Sequence, residues 1–204
     1  NSVVDAGETN PLIPDSDGDG VIDGSDNCPL TSSVDQTNTD QDSEGDACDD
    51  DDDNDGVSDV DESVNQTDPL VADTDSDGVS DLTDNCPLTQ NLNQVNTDKS
   101  LAALPNALIV GDELGNVCDP DDDNDGLADQ QEDVNDTGAI EAGETNPLNP
   151  DTDGDGRLDG ADNCRLDSNN DQADFDQDLA GDACDPDDDN DGLDDPQEDL
   201  DGDG

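Results

Sequence analysis

The stretch DSDGDGVIDGSD at residues 15–26 decides the fold of this chain. Carboxylates stand at positions 1, 3, 5, 9 and 12 of the stretch, and glycine stands at position 6. That is the spacing of oxygen ligands in an EF-hand-type calcium loop, where position 7 contributes only its backbone carbonyl. The stretch therefore predicts a calcium site. A true EF-hand is not expected, because Asn-Cys-Pro follows the loop where an EF-hand has an amphipathic helix.

Related loops recur along the chain in three forms. Leading loops are followed by NCPL or NCRL, cysteine loops carry a cysteine at position 11, and glutamate loops begin DDDNDG and end in glutamate. The leading loops are 15–26, 73–84 and 151–162, the cysteine loops are 38–49, 96–119 and 174–185, and the glutamate loops are 51–62, 121–132 and 187–198. Glycine falls at position 8 of the cysteine loops, and the middle cysteine loop is interrupted by SLAALPNALIVG at 100–111.

One loop of each form makes a module with two cysteines, which predicts three domains, 1–72, 73–150 and 151–204. The segment 133–144 is interpreted as a degenerate further loop, with glycine at position 6. Residues 199–204 align with its first half, and residues 3–8 align with its second half.

The predicted calcium ligands are the side-chain oxygens at positions 1, 3, 5, 9 and 12 of these loops. In the leading loops they are Asp15, Asp17, Asp19, Asp23, Asp26, Asp73, Asp75, Asp77, Asp81, Asp84, Asp151, Asp153, Asp155, Asp159 and Asp162. In the cysteine loops they are Asn38, Asp40, Asp42, Asp46, Asp49, Asn96, Asp98, Asp112, Asp119, Asp174, Asp176, Asp178, Asp182 and Asp185. In the glutamate loops they are Asp51, Asp53, Asp55, Asp59, Glu62, Asp121, Asp123, Asp125, Asp129, Glu132, Asp187, Asp189, Asp191, Asp195 and Glu198. The degenerate loop and the half loops add Asp5, Glu8, Asp133, Asn135, Glu141, Glu144, Asp199, Asp201 and Asp203.

The composition is that of an acidic polyelectrolyte. The formal net charge is −60, and only 26% of the residues are apolar, which is too few to bury a sizeable core. Such a charge repels nucleic acid and anionic membranes, and no apolar run is long enough to insert into a bilayer. We therefore expect bound calcium ions to replace the core, as structural metals do in small domains.

An even number of cysteines in a chain with almost no core favours disulfides and an oxidising compartment. The competing interpretation is a zinc or redox site, but the chain has no histidine and no CxxC pair. Calcium loops of extracellular modules bind with Kd values of roughly 10⁻⁴ to 10⁻³ M, which also suits a calcium-rich exterior. The predicted location is extracellular or at the cell surface.

The phrases DNCPL, QxNTD and GDACD, each followed by an aspartate loop, closely resemble thrombospondin type 3 repeats, and the linkers that contain TNPL resemble bacterial variants. The resemblance implies an irregular, mostly coil fold, an elongated tandem repeat that calcium and disulfides stabilise, with little helix or strand. It also implies the pairs Cys28–Cys48, Cys86–Cys118 and Cys164–Cys184. Arg165, where the motif has proline, and the insertion at 100–111 depart from the family pattern.

The insertion at 100–111 is the strongly apolar stretch of the chain, and Pro105 argues against a long helix there. One interpretation is local packing over the neighbouring repeat, and the other is a contact patch for another subunit. The sequence leaves both open.

The predicted function is structural, a calcium-rigidified spacer or a head-to-tail filament subunit in which the half loops at 199–204 and 3–8 join across two copies. The alternatives are an adhesion or matrix-interaction module that uses the apolar insertion, and calcium storage or mineral nucleation. We do not expect an enzyme, because the sequence has no histidine and its carboxylates are assigned to metal. The expected partners are calcium and either the chain itself or an extracellular protein.

Overall fold

The computed structural model describes residues 4–5, 7–104 and 109–195. Its helices are α1 (Asp59–Asn65), α2 (Thr97–Ala102) and α3 (Asp129–Glu132), and a 3-10 turn spans Asp159–Ala161. The other described residues form turns, bends and coil, with no β-strand among them. This confirms the prediction of a mostly coil tandem repeat with little regular secondary structure. None of the helices in the described ranges has the length and apolar character to cross a membrane.

Backbone contacts group the chain into two units, Asn1–Asn93 and Gln94–Gly204. Each unit contains at least one leading loop, one cysteine loop and one glutamate loop, and the boundary divides none of them. The division into three domains at 1–72, 73–150 and 151–204 stays a prediction.

The loops share one backbone frame. The N–H of position 9 donates to the carbonyl of the residue before position 1, as Asp23 does to Pro14 at 3.0 Å. The N–H of position 6 donates to Oδ2 of position 1, as Gly20 does to Asp15 at 3.1 Å. Gly20 has a φ of 103°, in the left-handed region that side chains with a Cβ resist, and this explains the glycine at position 6.

Helix α1 begins at position 9 of a glutamate loop and carries the loop's last predicted ligand. The Ser58 hydroxyl caps the helix by accepting the N–H of Asp61 at 3.2 Å, and the acidic side chains of the first turn suit the positive end of the helix dipole. The helix is capped at its C-terminal end by Gln66, whose φ of 70° is left-handed. Glu62, in the middle of this helix, has no exposed surface. The short helix therefore holds the buried carboxylate of Glu62 in a fixed position.

The interior consists mainly of polar groups. The buried apolar residues of the described ranges are Cys28, Cys86, Ile109, Leu127 and Cys164. The carboxylates buried with them are Asp52, Glu62, Asp81, Asp98, Asp123, Asp125, Glu132, Asp159 and Asp162. Since a buried carboxylate costs free energy unless it is paired, hydrogen-bonded or bound to a metal, these residues cannot stabilise the fold by themselves.

The disulfide-bonded cysteines are Cys28, Cys48, Cys86, Cys118, Cys164 and Cys184. Cys28 is joined to Cys48 with Cα atoms 5.7 Å apart, and Cys164 to Cys184 with Cα atoms 5.6 Å apart. These are partners that the family resemblance implied. Each closes a span of 20 residues, which contributes about 3 kcal/mol by restricting the unfolded chain.

Glycine at position 8 of the cysteine loops lies against an asparagine beside the disulfide. The N–H of Gly45 donates to the carbonyl of Asn27 at 3.2 Å, and Gly181 donates to Asn163 at 3.1 Å. A Cβ on Gly45 would overlap the amide group of Asn27, and one on Gly181 would overlap that of Asn163. Close packing therefore accounts for the shift of glycine from position 6 to position 8.

The apolar insertion begins in helix α2 and returns beside it. A Cβ on Gly111 would lie 2.6 Å from the Cα of Lys99, so the end of the insertion approaches the residue that precedes it. Ile109 is buried, whereas Leu104 and Val110 are exposed. Residues 105–108 lie outside the described residues. The burial of Ile109 fits local packing, and the choice between the two interpretations stays open.

Candidate metal centres

Carboxylates at positions 1, 3 and 5 converge at the centre of several loops. Oxygens of three residues lie within 4.8 Å of one another in clusters that include Asp15, Asp17 and Asp19; Asp51, Asp53 and Asp55; and Asp73, Asp75 and Asp77. The frame described above produces this arrangement, because alternate side chains of a tight turn point toward one centre. An all-oxygen donor set of this kind suits a hard cation such as calcium.

Position 3 offers one oxygen to the loop and one to the centre. Oδ1 of Asp53 accepts the N–H of Asp55 at 3.1 Å, while its Oδ2 is buried and has no hydrogen-bond donor. Asp123 repeats this, with the Asp125 N–H at 3.2 Å and an unpartnered Oδ2. The same unpartnered Oδ2 occurs in Asp17, Asp75 and Asp153.

The carboxylate at position 12 is a further predicted ligand of the loop centre, and it is also buried. Oε2 of Glu62 and both side-chain oxygens of Glu132 are buried without a donor. In the leading loops the shorter aspartate stands here, and Oδ2 of Asp26 and of Asp162 is likewise buried and unpartnered. Oδ1 of Asp26 accepts the N–H of Cys28 at 2.8 Å, so position 12 also connects the loop to the disulfide.

These unpartnered oxygens raise the proton affinity of the carboxylates. Burial, assisted by the charges of Asp125 and Glu132, raises the pKa of Asp123 to about 8. Burial also raises the pKa of Glu62 to about 7, with Asp53 and Asp55 adding to the effect, and that of Glu132 to about 7. Such groups require a proton or a cation at neutral pH. The residues at positions 3 and 12 therefore fit a calcium ion, and so do Asp51 and Asp121 at position 1, whose Oδ1 is buried and unpartnered.

The carboxylate at position 5 accepts hydrogen bonds both from its own loop and from a later segment of the chain. Oδ1 of Asp19 accepts the N–H of Val21 at 2.7 Å, and its Oδ2 accepts the N–H of Ser33 at 3.0 Å. In another leading loop, Asp155 accepts the N–H of Arg157 at 2.8 Å and that of Asn169 at 2.7 Å. A ligand at this position is therefore held by two peptide groups that lie 2 and 14 residues further along the chain.

Position 9, also predicted as a ligand, makes a different contact in the structure. The carboxylate of Asp23 accepts the N–H of Ser16 at 2.7 Å and the Ser16 hydroxyl at 2.8 Å. Asp81 does the same with Thr74, at 2.9 and 2.6 Å. The equivalent contact to the N–H of position 2 is made by Asp46, Asp59, Asn116, Asp129, Asp159, Asp182 and Asp195. The position 9 side chain thus closes the loop.

The cysteine loops bring positions 3, 5 and 12 together. Oxygens of Asp40, Asp42 and Asp49 lie within 4.8 Å of one another, and so do those of Asp98, Asp112 and Asp119. The second cluster forms although 100–111 separate two of its members. The carboxylates that the sequence aligned across the insertion therefore lie close together in the structure.

The asparagines at position 1 of the cysteine loops differ from each other. Oδ1 of Asn38 is buried and unpartnered, as a ligand requires. Oδ1 of Asn96 instead accepts the N–H of Lys99 at 2.8 Å and caps helix α2. In the third copy the carboxylate of Asp174 accepts the N–H groups of Gln177 and Leu179, at 2.7 and 3.3 Å.

The degenerate loop at 133–144 closes at the surface. Oδ2 of Asp133 accepts the N–H of Gly138 at 2.6 Å, as position 1 does elsewhere. The side chain of Asn135 donates to Glu141 at 3.1 Å and to Glu144 at 2.9 Å, which keeps its predicted ligands together. The hydrogen bond from Asn135 lowers the pKa of Glu141.

Four predicted ligands, Glu198, Asp199, Asp201 and Asp203, lie outside the described residues. Three other carboxylates were missed by the ligand pattern, Asp52, Asp122 and Asp188, which stand at position 2 of the glutamate loops. Each has a buried Oδ1 without a hydrogen-bond donor. The sequence signal was the second of the three consecutive aspartates of DDDNDG, since the leading loops have serine or threonine at that position.

The fold and these sites define a class of protein in which acidic loops and disulfides, in place of an apolar core, hold a coil repeat together. The family model described as thrombospondin type 3 repeat matches residues 14–36, 37–62, 72–94 and 173–198. The chain therefore contains thrombospondin type 3 repeats, as the motifs predicted. Repeats of this family bind calcium, and the carboxylate clusters described above could hold the ions. No curated protein matches the chain.

Proposed function

We propose that the protein is an extracellular structural spacer that bound calcium makes rigid. The observation that carries this proposal is the set of buried, unpartnered oxygens at positions 1, 3 and 12, exemplified by Asp51, Asp53 and Glu62. The calcium ions would be held by these residues, and the charge that they supply would neutralise carboxylates that otherwise repel one another. Rigidity follows because the same side chains also hold the backbone of the loop.

Two features support the extracellular location. Disulfides persist in oxidising compartments, and the described residues contain no free cysteine. Loops of modest affinity, with Kd values of roughly 10⁻⁴ to 10⁻³ M, fill with calcium outside the cell.

The test is small-angle scattering of the oxidised chain in 2–5 mM calcium and after EGTA, both at about 0.15 M ionic strength. Removal of calcium is expected to increase the radius of gyration markedly, because unpaired carboxylates then repel along the chain. Magnesium at the same ionic strength is the matched control, since it prefers a smaller octahedral site and should restore less of the compaction. An unchanged radius after EGTA would contradict the proposal.

A specific observation favours the filament form of this function as a second candidate. Asp5 and Glu8 reproduce hydrogen bonds of the second half of the degenerate loop. The N–H of Asp5 donates to Oε2 of Glu8 at 3.4 Å, and that of Glu141 donates to Oε2 of Glu144 at 3.1 Å. The N–H of Glu8 donates to the carbonyl of Asp5, and that of Glu144 to the carbonyl of Glu141, both at 3.2 Å.

A segment with the sequence of a first half loop could complete residues 5–8 in another copy. Light scattering of the chain at increasing calcium is expected to show growth beyond the monomer, and the double substitution Asp5→Asn with Glu8→Gln should prevent it. If the unmodified chain stays monomeric at millimolar calcium, the filament form is wrong and the spacer form is unaffected.

A further inference from the structure

We propose that two different surfaces of this chain dock on each other between copies, so that the leading loop at 15–26 of one copy covers residues 187–195 of another. The partner is a second copy of this chain, and the contact is heterologous. The inference deepens the filament form of the proposed function and rests on loops that calcium has ordered. It names a contact separate from the half loop that contains Asp5 and Glu8.

The first argument is a contact that the chain makes twice between a glutamate loop and the leading loop that follows it. The N–H of position 10 in the leading loop donates to Oδ2 of position 5 in the glutamate loop. Leu82 donates to Asp55 in this way, and Gly160 donates to Asp125, both at 3.1 Å. Oδ1 of each aspartate accepts an N–H of its own loop, at 2.7 and 2.6 Å. The leading loop therefore supplies the donor for the second carboxylate oxygen.

The linker in front of each of these leading loops lies against the same glutamate loop. The buried hydroxyl of Thr67 donates to Oε1 of Glu62 at 3.4 Å. In the second unit, Leu148 lines a cavity with Asp122 and Asp129 of the glutamate loop. A leading loop and its linker thus form one covering surface for the loop before them.

The leading loop at 15–26 presents the same groups without that contact. The N–H of Gly24, at position 10, donates to none of the described residues, and a Cβ there would meet no heavy atom within 4 Å. Leu12 of the linker is 90% exposed, whereas the equivalent Leu70 and Leu148 are 48% and 50% exposed. Leu12 and Gly24 are called the leading surface below.

The glutamate loop at 187–198 presents the complementary groups. Oδ1 of Asp191 accepts the N–H of Leu193 at 3.0 Å, but its Oδ2 accepts no hydrogen bond from the described residues. Leu193 is 47% exposed, whereas Leu127 at the same position is 6% exposed. Asp191 is likewise exposed where Asp125 is buried. Asp191 and Leu193 are called the glutamate surface below.

The two surfaces complement each other in hydrogen bonding and in burial. One offers an unused N–H donor and an exposed leucine, and the other offers an unused carboxylate oxygen and an exposed leucine. The same loop types already form this contact within the chain, so docking requires no new conformation. Because the surfaces differ, copies join head to tail and continue to add unless the rotation between them closes a ring.

Calcium is required for the docking. Two copies that each carry a formal net charge of −60 repel each other. Salt at about 0.15 M screens exposed charges beyond about 8 Å, so carboxylates in direct contact still need bound cations. Asp191 is also a predicted ligand at position 5 of its loop, and a bound ion would hold the carboxylate that receives the N–H of Gly24. Association should therefore disappear in EGTA.

The test is sedimentation equilibrium of the full oxidised chain in millimolar calcium at about 0.15 M ionic strength. The unmodified chain is expected to grow beyond the mass of one copy as its concentration rises. Leu12→Asp and Leu193→Asp each place a negative charge in one surface and should weaken association about tenfold or more. Both positions are exposed, and Arg157 shows that position 7 accepts a charged side chain, so the loops should still form.

An equimolar mixture of the two variants distinguishes head-to-tail docking from other association. Leu12→Asp retains the glutamate surface and Leu193→Asp retains the leading surface, so each pair of copies can form one contact. The mixture is expected to reach the mass of two copies and no more, although each variant alone stays at the mass of one. Val34→Asp, at an exposed apolar residue outside both surfaces, is the matched control and should associate like the unmodified chain.

The outcomes separate the docking from the proposed function. A chain that compacts in calcium but stays monomeric overturns the docking, leaves the spacer function intact and assigns the two surfaces to a partner other than this chain. Growth that neither leucine variant reduces, but that Asp5→Asn with Glu8→Gln prevents, also overturns it. A variant mixture that stays at the mass of one copy, or grows beyond two, contradicts head-to-tail docking. The radius of gyration in calcium and in EGTA tests the spacer function independently.

Discussion

The backbone N–H of Leu82 donates to Oδ2 of Asp55 at 3.1 Å, so a residue of one loop holds a predicted ligand of the loop before it. The second unit repeats the contact, with the N–H of Gly160 donating to Oδ2 of Asp125 at 3.1 Å. Leu82 and Gly160 both stand at position 10 of a leading loop that follows a glutamate loop. Filling of one centre should therefore help to order the next.

Gly160→Ala tests this coupling. A Cβ at Gly160 would lie 2.6 Å from the carbonyl oxygen of Asp125, which is too close, so one of the two loops must shift. An overpacked contact of this kind costs roughly 1–3 kcal/mol, and we expect calcium binding at 121–132 to weaken about tenfold. Isothermal titration calorimetry measures the change.

The matched control for that substitution is Gly24→Ala. Gly24 stands at the same position 10 of the leading loop at 15–26, and a Cβ there would have no heavy atom within 4 Å. Calcium binding should be unchanged in this variant. Equal effects of the two substitutions would mean that the contact with Asp125 does not couple the loops.

Leu179 stands at position 6 of its cysteine loop with a φ of 88°, where most other loops have glycine. Its N–H still donates to Oδ2 of Asp174, at 3.3 Å, so the loop forms at the cost of backbone strain. Leu179→Gly should raise the free energy of unfolding by about 1 kcal/mol, because its side chain is exposed and little packing is lost. Thermal unfolding in calcium checks this.

Leu193→Gly is the control, since Leu193 is also exposed but is not among the residues with positive φ. Glycine there should leave stability unchanged or lower it, because it only adds freedom to the unfolded chain. Stabilisation by both substitutions would remove strain as the explanation.

The raised carboxylate pKa values predict how the calcium-free protein responds to pH. Glu62 and Glu132 have pKa values of about 7, and Asp123 has one of about 8. The folded state binds these protons more tightly than the unfolded chain does, so the stabilisation is complete below about pH 4 and is lost as the pH rises through 7 to 8. In EGTA the chain should be more compact at pH 5 than at pH 8.5, as measured by its hydrodynamic radius.

Calcium binding should show the matching proton release. Calcium displaces protons from the same groups, so titration in weakly buffered solution is expected to release more protons at pH 6.5 than at pH 8.5. Apparent affinity should fall as the solution is acidified. Proton release that does not vary between these pH values would exclude Glu62, Glu132 and Asp123 as ligands.

The regular spacing of the carboxylates made the loop centres predictable from the sequence. The hydrogen bonds between side chains and backbone could not be predicted in this way. Asp17 and Asp53 were assigned from position alone, and the structure directs an unpartnered oxygen of each into the interior. Asp23 satisfies the same spacing but is turned toward the N–H of Ser16, because position 9 begins the chain's exit from the loop. Spacing shows which residues carry oxygens, and the local hydrogen bonds decide which oxygens remain available.

Deletion of residues 100–111 tests whether the apolar insertion is needed for the site that it interrupts. The N–H of Asp112 donates to Oδ2 of Asp98 at 2.7 Å, and in the uninterrupted loop the N–H of Asp42 donates to Oδ1 of Asp40 at 3.0 Å. Deletion would leave Lys99 between the two aspartates, as Gln41 lies between theirs. We expect calcium stoichiometry to be unchanged, because closing a shorter loop costs slightly less entropy. Loss of one ion would show that the packing of Ile109 holds Asp98 and Asp112 in place.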